Sequence, residues 1–325
     1  MRLYFVSMLF ACCAPAIALA GAADFTPTVD LQGQTFIHDP STIVKDGTNY
    51  YIFGTGPGIR TKSSPDLTNW AAGDSVFRER VAWAGDFVPD YHGSVWAPDV
   101  VRVRGKFYLY YAVSAFGKQT SAIGLATNIT LDPNRSDFHW TDCGPVISST
   151  NHTAYNTIDP SAFLDRDGKF WLAFGSYWQG IFLMELQPAT GKRIATNSPL
   201  YHLAWNHSIE AACLTRHDNH YYLFVNWGQC CQGTNSTYEV RMGRADKIAG
   251  PYLDRDGKDL ADGGGSSFLV SNGRFIGPGH IGIVDDGTNS VTHFSYHYYD
   301  AATRGRSRLA IAKIDWSGGW PRPVN

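Results

Sequence analysis

The chain has no basic run. Its 27 Lys and Arg are offset by 29 Asp and Glu, for a formal net charge of -2. A phosphate-binding face of the kind that nucleic acid requires is not written into it. Cysteine is sparse, at six residues, and no C-x-x-C pair is matched by a second one, which argues against a structural zinc site. Amphipathic helical periodicity is missing. Beyond the first twenty residues no apolar stretch is long enough to span a bilayer, so no membrane partner is expected. No linker-like shift in composition divides the chain, and residues 21–325 read as one domain and as a monomer.

Met1-Arg2 leads into an apolar stretch from Leu3 to Leu19 that closes on Ala18-Leu19-Ala20. A short basic start, a short apolar segment and a small-x-small end predict a secretory signal peptide over 1–20. Lipoprotein processing at Cys12 ranks below this, because Phe10 is bulky for that signal. The product is expected outside the cell or in a periplasm. Export favours disulfides. Cys230-Cys231 could bond to each other, one of them could pair with Cys213, or the thiols could stay free; the sequence leaves these open.

What is abundant is aromatic: 10 Trp, 17 Tyr and 18 Phe, spread along the chain. Aromatics suit strands, and they also suit stacking on sugar rings. They recur in hairpins. Asp39-Pro40-Ser41-Thr42-Ile43-Val44 passes through Asp46-Gly47 into Tyr50-Tyr51-Ile52-Phe53. Asp159-Pro160-Ser161-Ala162-Phe163-Leu164 passes through Asp167-Gly168 into Phe170-Trp171-Leu172. Each is an entering strand, a D-G or similar turn and an aromatic return strand. Weaker copies begin at Asp99, Glu210 and His280, the last turning at Asp286-Gly287 toward Val291. Sixty positions separate Asp39 from Asp99 and Asp99 from Asp159; 51 and then 70 separate the following pairs. A repeat of this length, made of strands, predicts an all-β, five-bladed β-propeller. Leu309–Trp316 is expected to complete a blade begun elsewhere in the chain and so help close the ring.

In this register Asp39, Asp99, Asp159, Glu210 and His280 share one position, the mouth of each inner strand. Four carboxyls and an imidazole directed at one axis would perturb one another's proton affinity. Glycosidic cleavage needs such a mixture, a protonated acid at the leaving oxygen and an ionised base for water. The bland alternative is that acidic residues at strand starts bind turn amides.

The motifs Ile37-His38-Asp39-Pro40, Val95-Trp96-Ala97-Pro98-Asp99, Tyr155-Asn156-Thr157-Ile158-Asp159-Pro160 and Ile209-Glu210-Ala211 resemble the family 43 glycoside hydrolases. Within that family, Phe116–Gly124 and Trp316-Ser317-Gly318-Gly319-Trp320-Pro321 resemble the endo-1,5-α-L-arabinanases. The resemblance implies a five-bladed propeller acting on arabinan with inversion at the anomeric carbon. It makes Asp39 the general base, Glu210 the general acid and Asp159 the group that holds the acid and raises its pKa, with a structural role for Asp99. It implies substrate contacts at His38, Trp96, Phe116, Asn156 and Ser176. It also implies a single ion, calcium, near His280, and no organic cofactor. Two alternatives accompany it: an exo-acting α-L-arabinofuranosidase or β-xylosidase of the same family, and a non-catalytic sugar-binding propeller. The intact carboxylate trio argues against the second. A family 32 enzyme would need a Trp-x-Asn-Asp-Pro motif that is missing.

Overall fold

The computed structural model describes residues 25–26, 30–285, 287 and 292–325. The predicted leader, together with Asp286 and Val291 of the last hairpin, lies outside them. The architecture is all-β; among the described residues the α-helix is confined to Ala84–Phe87.

Antiparallel four-strand runs follow one another along the chain. The first comprises Ile43–Asp46, Asn49–Gly54, Arg60–Ser64 and Asn69–Ala72, and the second Ser94–Val103, Lys106–Val113, Ser121–Asn128 and Thr141–Ser149. The third is Ser161–Leu164, Phe170–Phe174, Ile181–Leu186 and Leu200–Ala204. The fourth is Ile209–His217, His220–Trp227, Glu239–Ala245 and Ser266–Leu269, and the last is Phe275–Asp285, His293–Asp300, Arg306–Asp315 and Arg322–Val324. The first and last runs merge into a nine-stranded sheet, because Val284 and Asp285 pair in parallel with Ile43 and Val44.

The four predicted hairpins whose turns lie among the described residues form where the sequence places them. Gly47, Gly105 and Gly168 all take positive φ at their turns. Arg104-Gly105 has positive φ at both central positions, the twist a tight hairpin requires. The second strand of each run is buried on both faces, as in Phe170–Phe174 and in Phe107–Val113, which explains their near-continuous apolar character. Leu309–Trp316 was expected to complete a blade begun elsewhere. Its strand, Arg306–Asp315, instead belongs to the run it follows, pairing with His293–Asp300 across the five residues 301–305; it also meets the chain ahead of the first run, where Phe36 bridges Arg308 and Thr35 O accepts the Leu309 N–H.

Each pair of successive runs shares a core. Phe53 and Val44 of the first pack with Phe107, Leu109 and Tyr111 of the second. Tyr110 and Leu125 pack with Phe170 and Phe174, Trp171 and Leu183 with Leu214 and Leu223, and Phe224 and Met242 with Phe294 and Tyr296. Ile43, Ile52 and Trp70 of the first run then pack with Leu309 and Ile311 of the last.

The entering strand of each run carries an irregularity at its head. Ladder pairing shifts between Trp96 and Asp99, between Glu210 and Cys213, and between Gly279 and Gly282. Inside these shifts sit residues of positive φ: Ala97 (41°), Ala211 (53°) and His280 (55°), matched by Asp39 (49°) and Asp159 (56°). These are β-bulges in which one residue is turned into the left-handed region. They correct the register read from the sequence. Asp39, Asp159 and His280 are equivalent as expected, but Glu210 stands one place before its bulge residue and Asp99 two places after. An inserted bulge residue shifts every later side chain relative to a simple strand count.

Asp99 is therefore a tie between runs. It is buried, its Oδ1 accepts the Thr42 N–H (2.9 Å) and its Oδ2 the Ala162 N–H (2.8 Å). Burial pushes its pKa up to about 6, against the pull of those two amides. Asp99→Asn keeps the shape but turns an NH₂ toward one donor. It should cost about 1–3 kcal/mol at pH 7 in urea denaturation. Because the folded pKa is raised, the wild-type group contributes most below the unfolded carboxyl pKa and loses that contribution as pH rises through about 6. The Asn variant should lack this part of the pH dependence.

Candidate functional site

Four of the left-handed residues, Asp39, Ala97, Ala211 and His280, present a backbone N–H to the preceding run, and a side chain there receives it. His297 Nδ1 accepts from Asp39 N (3.1 Å), Thr55 Oγ1 from Ala97 N (2.8 Å), and Asn226 Oδ1 from His280 N (2.8 Å). Asp159 Oδ2 accepts from Ala211 N (3.0 Å). His297, Thr55 and Asn226 occupy one position, opposite Gly279, His38 and Glu210 respectively. In the third run that position is Gly175, which follows Phe174 and donates to Ile158 O. Glycine has no side chain to offer, and the carboxylate of Asp159 reaches across instead. Gly279 leaves room for this clasp, since a Cβ there would lie 2.5 Å from Asn226 Nδ2.

Asp39 sits amid three imidazoles. His38 Nδ1 is 2.7 Å from its Oδ1, with His280 Nδ1 at 3.6 Å and His297 Nδ1 at 3.8 Å. Thr55 Oγ1 donates to its Oδ2 (2.5 Å). Burial alone would raise its pKa, but the neighbouring His38, then His280 and His297, outweigh burial and hold the carboxyl well below the ordinary range.

Glu210 meets the opposite balance. It is buried, Ser176 Oγ donates to Oε2 (2.8 Å) and Tyr238 Oη to Oε1. Burial pushes its pKa up to about 7; the charge on Asp39 adds to this, while Ser176 and His38 pull the other way. Asp159 is raised well above the usual value, first by burial and then by the charges of Glu210 and Asp39. The two buried carboxyls repel each other's charge, so the pair retains a proton at pH values where an exposed acid would not.

A cleft of about 530 Å³ opens over Glu210, walled by Trp96, Phe116, Asn156, Ser176 and Trp178. Four predicted contact residues, Trp96, Phe116, Asn156 and Ser176, thus line one space with the predicted acid, and His38 lies beside the predicted base. Asn156 is fixed within the wall through Ser121 Oγ (2.7 Å). Phe116 is 77% exposed and Trp178 41%, so two aromatic side chains stand partly open to solvent at the rim. Cys230 and Cys231 are bonded to each other, and Cys230 borders the cleft; Cys143 and Cys213 are free.

The residues around His280 do not make a calcium site by themselves. A hard cation takes six to eight oxygens, and His280 offers a nitrogen. Among the described residues the cluster able to converge on a cation is His38, Asp39 and His297. That set is rich in nitrogen, and two of its atoms already bind Asp39, His38 Nδ1 at the carboxylate and His297 Nδ1 at the backbone N–H. Its donors suit a transition metal better than calcium.

Sequence reasoning missed Thr55, His297, Asn226, Tyr238 and Trp178. The first three had a signal: on three return segments they share one register, each opposite the residue that precedes a left-handed one. Tyr238 and Trp178 had none. Thr55→Val removes the acceptor of the Ala97 N–H and a donor to Asp39 at nearly constant volume. It should cost about 1–3 kcal/mol of stability, measured by chemical denaturation.

A family model, Glycosyl hydrolases family 43, matches residues 33–321. The extracellular endo-α-(1→5)-L-arabinanase 1 of Bacillus subtilis is 41% identical over 293 residues, covering 88% of this chain and 87% of the relative. The extracellular exo-α-(1→5)-L-arabinofuranosidase of Cellvibrio japonicus is 39% identical, covering 89% and 86%. The solved structure of the Cellvibrio cellulosa α-L-arabinanase complexed with arabinohexaose superposes with a TM-score of 0.84 at 37% identity, covering 90% of this chain and 96% of that one. With that match spanning both the carboxyl cluster and the aromatic cleft, the chain belongs to glycosyl hydrolase family 43.

Proposed function

We propose that this is a secreted enzyme that cleaves internal α-1,5-L-arabinofuranosidic linkages of arabinan with inversion, on a five-bladed propeller. The observation that carries this reading is the split in proton affinity within one cluster: Asp39 is held ionised while Glu210 is held protonated. An inverting glycosidase needs one carboxylate to take a proton from water and one carboxylic acid to give a proton to the leaving oxygen. Asp39, clamped by His38 and Thr55, is the general base. Glu210, facing the cleft and fixed by Ser176 and Tyr238, is the general acid. Asp159 shares the acid's proton and, through Ala211 N–H, fixes the backbone next to it. For inversion, the Asp39 and Glu210 carboxyls should stand roughly 6.5–9.5 Å apart, leaving room for the water.

Relatives of both endo and exo action match this chain. The exposed rim favours endo action here: Phe116 and Trp178 flank the cleft as partly exposed aromatic side chains, suited to sugar rings on either side of the cleaved bond. Trp96 packs against Phe116 with ring centroids 4.9 Å apart and extends that surface inward. The five-bladed reading rests on the pairwise cores, which pass from each run to the next and from the last back to the first. Secretion rests on the leader and on the extracellular relatives.

Debranched arabinan should yield a ladder of oligosaccharides at early times by chromatography; arabinose alone would point to exo action. The sugar first released, followed by NMR, should be the β-anomer. Turnover on arabinan should decline as pH rises through about 7, because Glu210 loses the proton it must donate. Glu210→Gln should lower turnover by about 10²–10⁴-fold on arabinan, and by less on an aryl arabinoside with a good leaving group.

A further inference from the structure

The Cys230–Cys231 disulfide lies in the loop after the strand His220–Trp227, with one face on the cleft. Its other side meets the cluster around Asp39. The Cys231 N–H donates to Tyr299 Oη (2.7 Å). Tyr299 Oη is 2.8 Å from His38 Nε2, and His38 Nδ1 is 2.7 Å from Asp39 Oδ1. Cys231 Sγ packs on the same imidazole, 3.7 Å from Nε2. The His38 ring also stacks on His297, with centroids 4.3 Å apart. A single chain of contacts therefore runs from the disulfide's backbone to the carboxylate assigned as general base.

The donor at its head constrains the hydrogen bonds. A backbone N–H can only donate, so Cys231 fills an acceptor position on Tyr299 Oη. The phenol keeps a second lone pair and its own proton, so it pairs with His38 Nε2 in either protonation state of the imidazole. In both states a proton on Nδ1 points at Asp39 Oδ1. Each group sets the orientation of the next. What holds the head of the chain is the disulfide. Cys231 has φ of 67°, a left-handed conformation that a non-glycine residue avoids. The covalent ring between adjacent cysteines fixes that peptide; a dithiol would leave it free to rotate.

We propose that the Cys230–Cys231 disulfide and Tyr299 form a positioning unit for the general base, holding His38, and through it Asp39, in the geometry that activates water. This rests on the reading of Asp39 as base. A phosphine reductant opens the bond with balanced chemistry: the disulfide takes two electrons from phosphorus and two protons, water supplies the oxygen, and two thiols and a phosphine oxide result. The protein loses the clamp on the Cys231 N–H while every residue of the cluster remains present.

The test compares the full chain, oxidised and after reduction with tris(2-carboxyethyl)phosphine, with Tyr299→Phe and Cys230→Ala/Cys231→Ala. Rates are measured on debranched arabinan, and the thermal midpoint of each form is recorded. Reduction should lower kcat about 10–100-fold, the range expected when a supporting hydrogen-bond partner is lost, with KM changed less than threefold, and reoxidation should restore it. Tyr299→Phe should show the same split, and reducing that variant should add little further loss. A fall in affinity with unchanged kcat would overturn the proposal and leave the disulfide as cleft wall only. Unchanged kinetics on verified reduction would overturn it as well. If the reduced chain melts below the assay temperature, Tyr299→Phe, which keeps the disulfide, decides: full kcat there refutes the unit. The base assignment is judged separately by Asp39→Ala, which should lose turnover whatever the state of the cysteines and regain part of it with azide.

Discussion

One backbone constraint organises this molecule: a residue turned into the left-handed region at the head of each entering strand, with four of these N–H groups taken by a side chain of the neighbouring run. The conformation is costly for a non-glycine residue, and a buried unpaired N–H would add to that cost. Both are offset by the clasp from His297, Thr55, Asp159 or Asn226. The same contacts that join run to run therefore also fix the atoms of the active cluster. Stability and site geometry are not separable here, because the clasps are made by, or next to, the groups proposed to carry the chemistry.

The repeat is symmetric in backbone and asymmetric in charge. Asp39 and Asp159 occupy equivalent bulges, yet one is held well below the usual carboxyl range and the other well above it. Their neighbours account for the difference. Asp39 faces His38, His280 and His297, which favour its anion; Asp159 faces Glu210, which disfavours it. Burial raises both, and the sign of the final shift follows from which partner the adjoining run supplies. A cluster that separates proton affinities in this way can hold a base and an acid within one cleft, close to neutrality.

Part of this was legible in the sequence. Asp39-Pro40-Ser41 and Asp159-Pro160-Ser161, each followed by a D-G hairpin, show the repeat and two equivalent bulge positions. The remaining registers were misread, because strand counting assumes two residues per pleat and a bulge breaks that count. Glu210 therefore lies one place, and Asp99 two places, from where the spacing puts it. Tyr238 and Tyr299 could not be found, since a buried tyrosine that hydrogen-bonds within the carboxyl–imidazole cluster looks like any other of the 17 tyrosines in the sequence. The bond between Cys230 and Cys231 was one of several open pairings, decided only when Cys213 is seen buried and free within the core of the last two runs.

Floor and rim of the cleft follow different physics. The floor is buried and polar: Glu210, Ser176 and Asn156 are almost without solvent contact, and each has a hydrogen-bond partner. In such a setting small displacements change proton affinity, so the floor must be rigid, and clasps and short side chains make it so. The rim is apolar and exposed, and Phe116 has little to hold it beyond Trp96. Stacking on a sugar ring tolerates sliding and tilting in a way that proton transfer does not. A polymer can therefore shift along the rim while the bond to be cut is presented to a fixed pair of carboxyls, and that combination suits attack at many positions along one chain.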